Sequence, residues 1–566
     1  VIFSRFRHLG FALLLTLAIV RDASVATAQQ SPAEAPSPTN RNADESYRDG
    51  LKLEIDRQWA KAADHYDAAL KQWPERTDFR QRLILCEMHL RLQKRYHDYS
   101  FQQILLRMDD ADCARLYNEI LDRIDNHYVD PIDLSGLTRR GIDNLEVALR
   151  DPEFQRINAP TAAPAQIRTL REWLRENRSR IMAPDRKKSA EIVTAIADAA
   201  VRTAGVSRQS VYMEFIFGAC DALDEFSACL TPAKLEDLYA VIDGNFVGLG
   251  VELKDDPKGL VLTSVIRGGP AWEAGLKVGE IITSVDGKSL AGMNLEQAAA
   301  ELQGPEGSSV ELLLAREGAA LRKIRLVRRP VDVDSVVDIK MVDPQEGIGY
   351  LKLTGFQKTT NRELASAVDL LRSNGMKLLI FDLRGNPGGL LNCSVEIADQ
   401  FLAQGVIVTT RGRSDGQSQV YRAKPDIAWD FPVVLLVDRD SASASEILAG
   451  ALQENGRADV LGERSFGKGS VQSIFPIRTA PAGLKLTTAR FYSPLDRPYT
   501  QGVTPNVITR QVARPTNEGK TVASAEDFVL KAAIEHGRGK LNAQTATSAP
   551  RSIPTANVTS GAGDVR

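Results

Sequence analysis

Three segments of this chain carry side chains whose types and spacing suit hydrolysis. The run Asp438-Arg439-Asp440-Ser441-Ala442-Ser443-Ala444-Ser445-Glu446 follows an apolar strand pattern at 433–437 and leads into a helical pattern ending at Asn455 and Gly456. Serines at such a turn commonly serve as N-caps. Three of them alternating with alanine also offer a nucleophile at a helix N-terminus. The second segment, Gly462-Glu463-Arg464-Ser465-Phe466-Gly467-Lys468-Gly469-Ser470-Val471-Gln472, sets Lys468 between two glycines, an odd setting for a solubilising lysine. Gln472, four residues on, shares its face in a helix or a strand. In the third, the apolar run 378–383 ends in Arg384-Gly385-Asn386-Pro387-Gly388-Gly389, and a helix follows from Leu390. A glycine-rich turn before a helix presents N–H groups to an anion or a developing oxyanion, and it is equally compatible with a tight structural turn.

Histidine usage restricts the chemistry further. The chain has six, at His8, His65, His89, His97, His127 and His536, so none lies between 127 and 536. A serine nucleophile in that interval needs a lysine base. The lysine must be desolvated, because a value of ~10.4 leaves almost no neutral amine at neutral pH, and burial lowers it. The glycines beside Lys468 remove side chains that would hold it away from a packed sheet. Gly412-Arg413-Ser414-Asp415-Gly416 matches a nucleophile elbow with His536 downstream, but 417–422 reads as a return strand ended by Pro425, so a hairpin tip is the better reading.

These segments need elements to position them. The 566 residues correspond to about four units at one per ~150 residues. A hydrophobic share of 43%, a charged share of 25% and ordinary Gly and Pro usage exclude collagenous, disulfide-scaffold and wholly disordered classes. A net charge of −2 argues against a nucleic-acid partner. The basic stretch 168–188 reads as a solvated helix face. Cys86, Cys113, Cys220, Cys229 and Cys393 form no metal or redox motif, so no metal and no cofactor are expected, and pairing of Cys220 with Cys229 stays open.

Residues 1–28 have basic residues, an apolar run at 9–20 and Ala26-Thr27-Ala28, the layout of a signal peptide, so export is expected, with membrane association only if the signal stays uncleaved. Residues 29–45 read as a flexible linker, and the stretch from about 541 as disordered. From 46 to 112 the spacing is helical, and Gly50, Ala62, Tyr66, Ala69 and Pro74 resemble one tetratricopeptide unit. A single unit is expected to pack on the helices that follow, residues 113–244, and it leaves room for a protein partner.

Residues 245–328 alternate like short strands and carry Gly248-Leu249-Gly250-Val251, Gly268-Gly269-Pro270-Ala271, Ala274-Gly275-Leu276, Gly279-Glu280-Ile281-Ile282 and Val285-Asp286-Gly287. In this order they resemble a PDZ domain. The Gly248–Val251 loop suits a carboxylate beside an edge strand, so the expected ligand is a free, apolar protein C-terminus. Residues 329–512 read as an α/β core.

Together, the PDZ-like stretch and the motifs S-A-S-A-S-E, F-G-K-G-x-V-Q and D-L-R-G-N-P-G-G resemble the C-terminal processing peptidase family over about 115–510. The resemblance implies a multidomain α+β and α/β chain whose protease core is of the crotonase/ClpP-like kind, with a serine–lysine dyad. Carried over by motif, Ser443 is the nucleophile, Lys468 the general base and Gln472 the residue orienting its amine. Ala444 and Gly388 N–H groups form the oxyanion hole, with Gly389 the alternative to Gly388. Glu446, one helical turn after Ser443, is placed to position the dyad, and Ser441 and Ser445 act as caps. The resemblance also implies an exported, periplasmic endopeptidase acting on protein C-termini. The tetratricopeptide-like region and the stretch 150–190 depart from the family pattern. The competing readings are a silent PDZ and helical-repeat adaptor, and a crotonase-type acyl-CoA enzyme, which explains neither the PDZ-like stretch nor the export signal.

Overall fold

A computed structural model describes residues 43–548 except 294, 317, 414, 425–428, 512, 516–520 and 524–526. The expected signal peptide, Ser414 and Pro425 therefore lie outside the described residues. Among the described residues no helix is long and apolar enough to cross a membrane.

The chain enters as α1 (Ala43–Ile55), so helix begins inside the stretch 29–45 expected to be linker. It continues as α2 (Trp59–Gln72) and α3 (Thr77–His97). A Cβ on Gly50 would stand 2.4 Å from the Tyr66 ring, which is why a glycine is needed where α1 crosses α2. Ala62, Ala63, Tyr66, Phe79 and Cys86 form a small separate core. The second half of α3 supplies Met88, Leu92 and Tyr96 to a different and larger core, so one long helix fastens the unit to the bundle behind it.

That bundle contains α4 (Asp110–His127), α5 (Leu134–Ala148), α6 (Pro164–Arg178), α7 (Arg186–Ala204) and α8 (Arg208–Asp221). The basic stretch 168–188 is more than a solvated face. Arg171 and Arg175 converge on Glu146 of α5, at 2.9 and 2.5 Å, and Arg178 pairs with Asp143. Burial pushes the Glu146 carboxyl up, but the surrounding arginines outweigh it and hold the group below its usual range. All five cysteines are buried, and no disulfide joins Cys220 to Cys229.

A short strand, β1 (Ala228–Leu230), and α9 (Pro232–Asp243) lead to the PDZ-like domain. Before it, β2 (Asn245–Gly248) pairs with a strand that follows the domain. The domain's sheet has the order β3 (Val251–Asp256), β4 (Gly259–Val265), β5 (Ile281–Val285), then β7 (Ser309–Ala315) and β8 (Arg322–Val327), with β6 (Lys288–Ser289) on β5. Leu260, Ile282 and Leu312 are fully buried in its own core. The chain leaves through β9 (Arg329–Asp332), the antiparallel partner of β2, so one two-strand ribbon brackets the domain.

The α/β core is built on a second sheet of order β10 (Val336–Asp343), β11 (Ile348–Leu353), β12 (Leu378–Asp382), then β15 (Val433–Val437), β16 (Ala458–Gly462) and β19 (Val507–Ile508). All but β10 run parallel. Buried on both faces, β15 is apolar at every position and β12 at all but its last, Asp382, which pairs with Arg384. Leu379, Phe381, Val433 and Leu435 face α10 (Thr360–Ser373), α11 (Leu391–Phe401) and α12 (Ala444–Glu454). Their neighbours Leu378, Ile380, Val434 and Leu436 face α13 (Phe528–Ser548). That helix passes Leu541, so the C-terminal stretch is ordered further than its composition suggested. Arg384 fixes it through Asp527, at 2.7 Å.

Beside this sheet lies another, in which β17 (Ser470–Pro476) and β1 pair with β18 (Gly483–Tyr492), and β13 (Val406–Gly412) joins β18 to β14 (Gln419–Arg422). The antiparallel pair β13 and β14 is the expected hairpin. His536 sits elsewhere, with Nε2 2.7 Å from Asp459.

Candidate active site

Three adjacent parallel strands, β12, β15 and β16, deliver the three sequence segments to one edge of the core sheet. β12 ends in the glycine turn, β15 in the serine turn, and β16 leads to Lys468. Ligand sites of parallel α/β sheets gather beyond the carboxyl ends of the strands, because there the connections diverge and leave a crevice.

Ser443 stands immediately before α12 with φ +56° and ψ −114°. A side chain at positive φ costs ~1–3 kcal/mol and persists only when its surroundings hold it. Here Glu446 holds it: Ser443 N–H donates to Glu446 Oε2 at 2.8 Å. The same carboxylate accepts Lys468 N–H on Oε2 at 2.9 Å, and on Oε1 the Ser465 hydroxyl at 2.6 Å and Gly467 N–H at 2.7 Å. Burial pushes the Glu446 carboxyl above its usual range, and these hydrogen bonds offset only part of that. Its four partners are all donors, so the ionised, acceptor-only form is the one that fits.

Lys468 is reached through a tight backbone passage. Gly467 has φ +97°, and a Cβ there would stand 2.8 Å from Thr500 O. Burial first, and then the Lys485 ammonium, bring the Lys468 amine down from 10.5 to about 8, against the opposing pull of Glu446, Glu225 and Asp224. Its Nζ lies 4.9 Å from the centroid of the Phe226 ring.

The glycine turn approaches the serine turn more closely than any side chain would allow. A Cβ on Gly388 would stand 2.7 Å from Ala442 O, 2.8 Å from Ser443 Cβ and 2.9 Å from Ala444 N. Gly388 N–H donates to Asn386 Oδ1 at 2.9 Å, so it can serve an oxyanion only after Asn386 releases it. Gly389 pairs with Phe356. Ser441 and Ser445 are braces rather than caps: Ser441 Oγ donates to Leu383 O at 2.8 Å, and Ser445 Oγ to Asn386 O at 2.9 Å, joining the two turns. Gln472, on β17, donates to Ser470 O at 3.2 Å and Ser470 Oγ at 3.0 Å, opposite Thr487 of β18.

The Gly248–Val251 loop belongs to the β2–β9 ribbon and the sheet of β3 to β8, not to the core sheet. Gly248 ends β2 opposite Arg329, Leu249 is buried and its carbonyl accepts Ala271 N–H at 2.8 Å, the Gly250 carbonyl accepts Ile266 N–H at 2.9 Å, and Val251 opens β3.

Four residues at the site carry no assignment from the motifs. Asn386 is fully buried and ties Leu353 O to the glycine turn, through a hydrogen bond of 3.0 Å. Ser394 Oγ donates to Ala444 O at 2.7 Å. Ser465 links Glu446 to Val503 N–H. Phe226 covers Lys468 from a distant part of the chain. Asn386 and Ser465 stand inside the motif segments, where a polar residue in an otherwise apolar or glycine-rich run was a usable signal. Ser394 and Phe226 had none.

The family description peptidase family S41 matches residues 347–509, and that of a PDZ domain matches 261–316, which begins after the Gly248–Val251 loop. A carboxy-terminal-processing protease of Bartonella bacilliformis is 34% identical over 357 residues, spanning 61% of this chain and 79% of that protein. The chain belongs to the carboxyl-terminal-processing protease family. A second member, from Synechocystis, is 33% identical over 319 residues, 55% of this chain and 74% of that protein. Among solved structures, the photosystem II D1 C-terminal processing protease is 26% identical and covers 72% of this chain and 96% of its own, with a TM-score of 0.39. This protease is therefore a serine-type peptidase with a PDZ domain, acting on protein substrates. Its relatives include bacterial and chloroplastic proteins.

Proposed function

We propose that this protease is an exported endopeptidase that recognises substrate C-termini through its PDZ domain and cleaves peptide bonds with Ser443 and Lys468. The observation that carries the dyad is the shared carboxylate: Glu446 Oε2 accepts the backbone N–H of both residues, which fixes them on one rigid scaffold. The lowered lysine supports it. At pH 7 an amine with a value of about 8 is neutral in about a tenth of molecules, against ~0.03% for one at 10.5.

In this reading the neutral Lys468 amine takes the proton of Ser443 Oγ as the oxygen bonds to the scissile carbonyl carbon. Negative charge on the carbonyl oxygen is met by Ala444 N–H at the start of α12 and by Gly388 N–H, turned away from Asn386. The lysine then gives its proton to the departing amine as the C–N bond breaks. Water, deprotonated by the same amine, cleaves the acyl-enzyme and restores Ser443. Gln472 orients the lysine from β17, and Glu446 acts as a positioning residue.

Recognition of C-termini rests on Gly248, Leu249, Gly250 and Val251, whose backbone is suited to a carboxylate next to an edge strand. Export rests on the sequence pattern of residues 1–28. The test uses the full chain and an unfolded polypeptide with an apolar free C-terminus. Ser443→Ala and Lys468→Ala each abolish cleavage while both still bind the C-terminal peptide; cleavage retained by Lys468→Ala overturns the dyad, and no cleavage by the unaltered protein favours an adaptor.

A further inference from the structure

The catalytic core does not enclose Lys468 by itself. The ring over its amine belongs to Phe226, in the loop that joins the N-terminal helical bundle to β1, more than 200 residues away in sequence. This loop is held at several points. Asp224 Oδ1 accepts Phe226 N–H at 2.9 Å and Ser227 N–H at 2.6 Å, a local turn that sets the direction of the ring. Ser227 Oγ accepts Thr487 N–H of β18 at 3.2 Å, and Ala228 then pairs with Lys485. On its other side β18 pairs with β17, the strand that begins two residues after Lys468, and Thr487 is opposite Gln472. One strand therefore fixes both the loop that carries the ring and the segment that carries the lysine.

We propose that Phe226 is a positioning residue of this protease: its ring closes one side of the lysine site and excludes water from the Lys468 amine. The proposal rests on Lys468 being the general base. The ring exerts two opposed effects. Its face attracts an ammonium, favouring the charged form, whereas its bulk removes hydrating water, favouring the neutral form. Burial as a whole is the largest influence on Lys468 and acts downward, and the ring 4.9 Å from the amine is part of what buries it, so the proposal assigns the ring the dehydrating effect. The charged groups facing the amine are Lys485 from β18, Glu446 from α12, and Asp224 and Glu225 from the loop itself. Replacing a neutral ring leaves all four in place, so water access is the quantity that changes. The helical bundle thereby completes a catalytic site whose other parts come from the core, and a core without it would hold a wet, charged lysine.

The experiment measures kcat/KM against pH for the full chain and for Phe226→Ala and Phe226→Leu, with an unfolded substrate bearing an apolar free C-terminus, and Lys468→Ala as control. In a Ser443→Ala background, the pH dependence of Lys468 acylation by an amine-reactive reagent, read by mass spectrometry, reports the same proton without catalysis. Phe226→Ala moves the acid limb upward from near 8 by about one pH unit, lowers kcat/KM at pH 7 about tenfold, and moves the acylation profile in parallel. Phe226→Leu, dry but without an aromatic face, holds the limb within ~0.3 pH unit or below its starting value. If Phe226→Ala fails to fold, Phe226→Val carries the same comparison. A loss of rate with both profiles unmoved indicates a structural role alone and overturns the proposal. Cleavage retained by Lys468→Ala overturns the dyad and this inference together; a dead Lys468→Ala with an unmoved Phe226→Ala overturns this inference only.

Discussion

The backbone N–H groups of Ser443 and Lys468 converge on one oxygen, Glu446 Oε2, at 2.8 and 2.9 Å. These two residues stand on different strand connections, and the carboxylate is the bond between them. Glu446→Gln replaces one acceptor oxygen with a donor facing donors. It is expected to destabilise the fold by about 1–3 kcal/mol, measured by thermal denaturation, and to lower kcat by ~10²-fold with KM little changed. A Gln variant with unaltered kcat would remove Glu446 from the positioning role.

The pH profile has a sign fixed by the lysine. A base brought down to about 8 is protonated and idle below that value and neutral above it. kcat/KM is therefore expected to rise about tenfold per pH unit below 8 and to level off above it. A profile already flat from pH 6 would be inconsistent with Lys468 as the base.

The same group affects stability. The folded protein holds Lys468 below its unfolded value, so between about 8 and 10.5 the unfolded chain binds more protons, and this site's contribution to stability rises with pH through that window. At neutral pH the charged form is held at a cost, and Lys468→Met is expected to be inactive yet more stable by ~1–3 kcal/mol, with the rise across that window reduced. Melting curves at pH 7 and pH 10 check both parts.

Gly388→Ala places a methyl group against backbone atoms that cannot move aside, 2.7 Å from Ala442 O and 2.9 Å from Ala444 N. The expected outcome is a loss of at least ~10²-fold in kcat, with C-terminal peptide binding retained. Peptide binding by fluorescence anisotropy and turnover with a quenched substrate separate the two effects.

Substrate recognition is tested on the ligand rather than the protein. A peptide with a free apolar C-terminus is expected to bind at least ~10-fold more tightly than its C-terminally amidated form, because the amide removes the charge that the Gly248–Val251 backbone would accept. Equal affinity for the two peptides would show that the PDZ domain does not read a carboxylate.

Much of this molecule was legible in residue order. The mostly apolar runs at 348–353, 378–383 and 433–437 become β11, β12 and β15 because strands buried on both faces favour apolar side chains, the exceptions being the half-buried Lys352 and the paired Asp382. The interval without histidine, the lysine between glycines and the alternating serines point to the serine–lysine chemistry proposed for this site. The positions assigned to Ser441 and Ser445 were less well read, because capping is a local rule and these hydroxyls instead brace a neighbouring turn. The basic stretch 168–188 likewise hid its partner Glu146, which lies on another helix.

The sequence by itself determined which residue types can act and which local elements carry them, because periodicity, turn chemistry and the absence of imidazole are properties of neighbours along the chain. Only the tertiary structure decided that Glu446 joins Ser443 to Lys468, that Asn386 holds Gly388 N–H, and that Phe226 covers the lysine. The first and the last join segments distant in sequence, and the Asn386–Gly388 bond, local in sequence, is buried by them; burial of that kind arises only when separate strands and helices pack together.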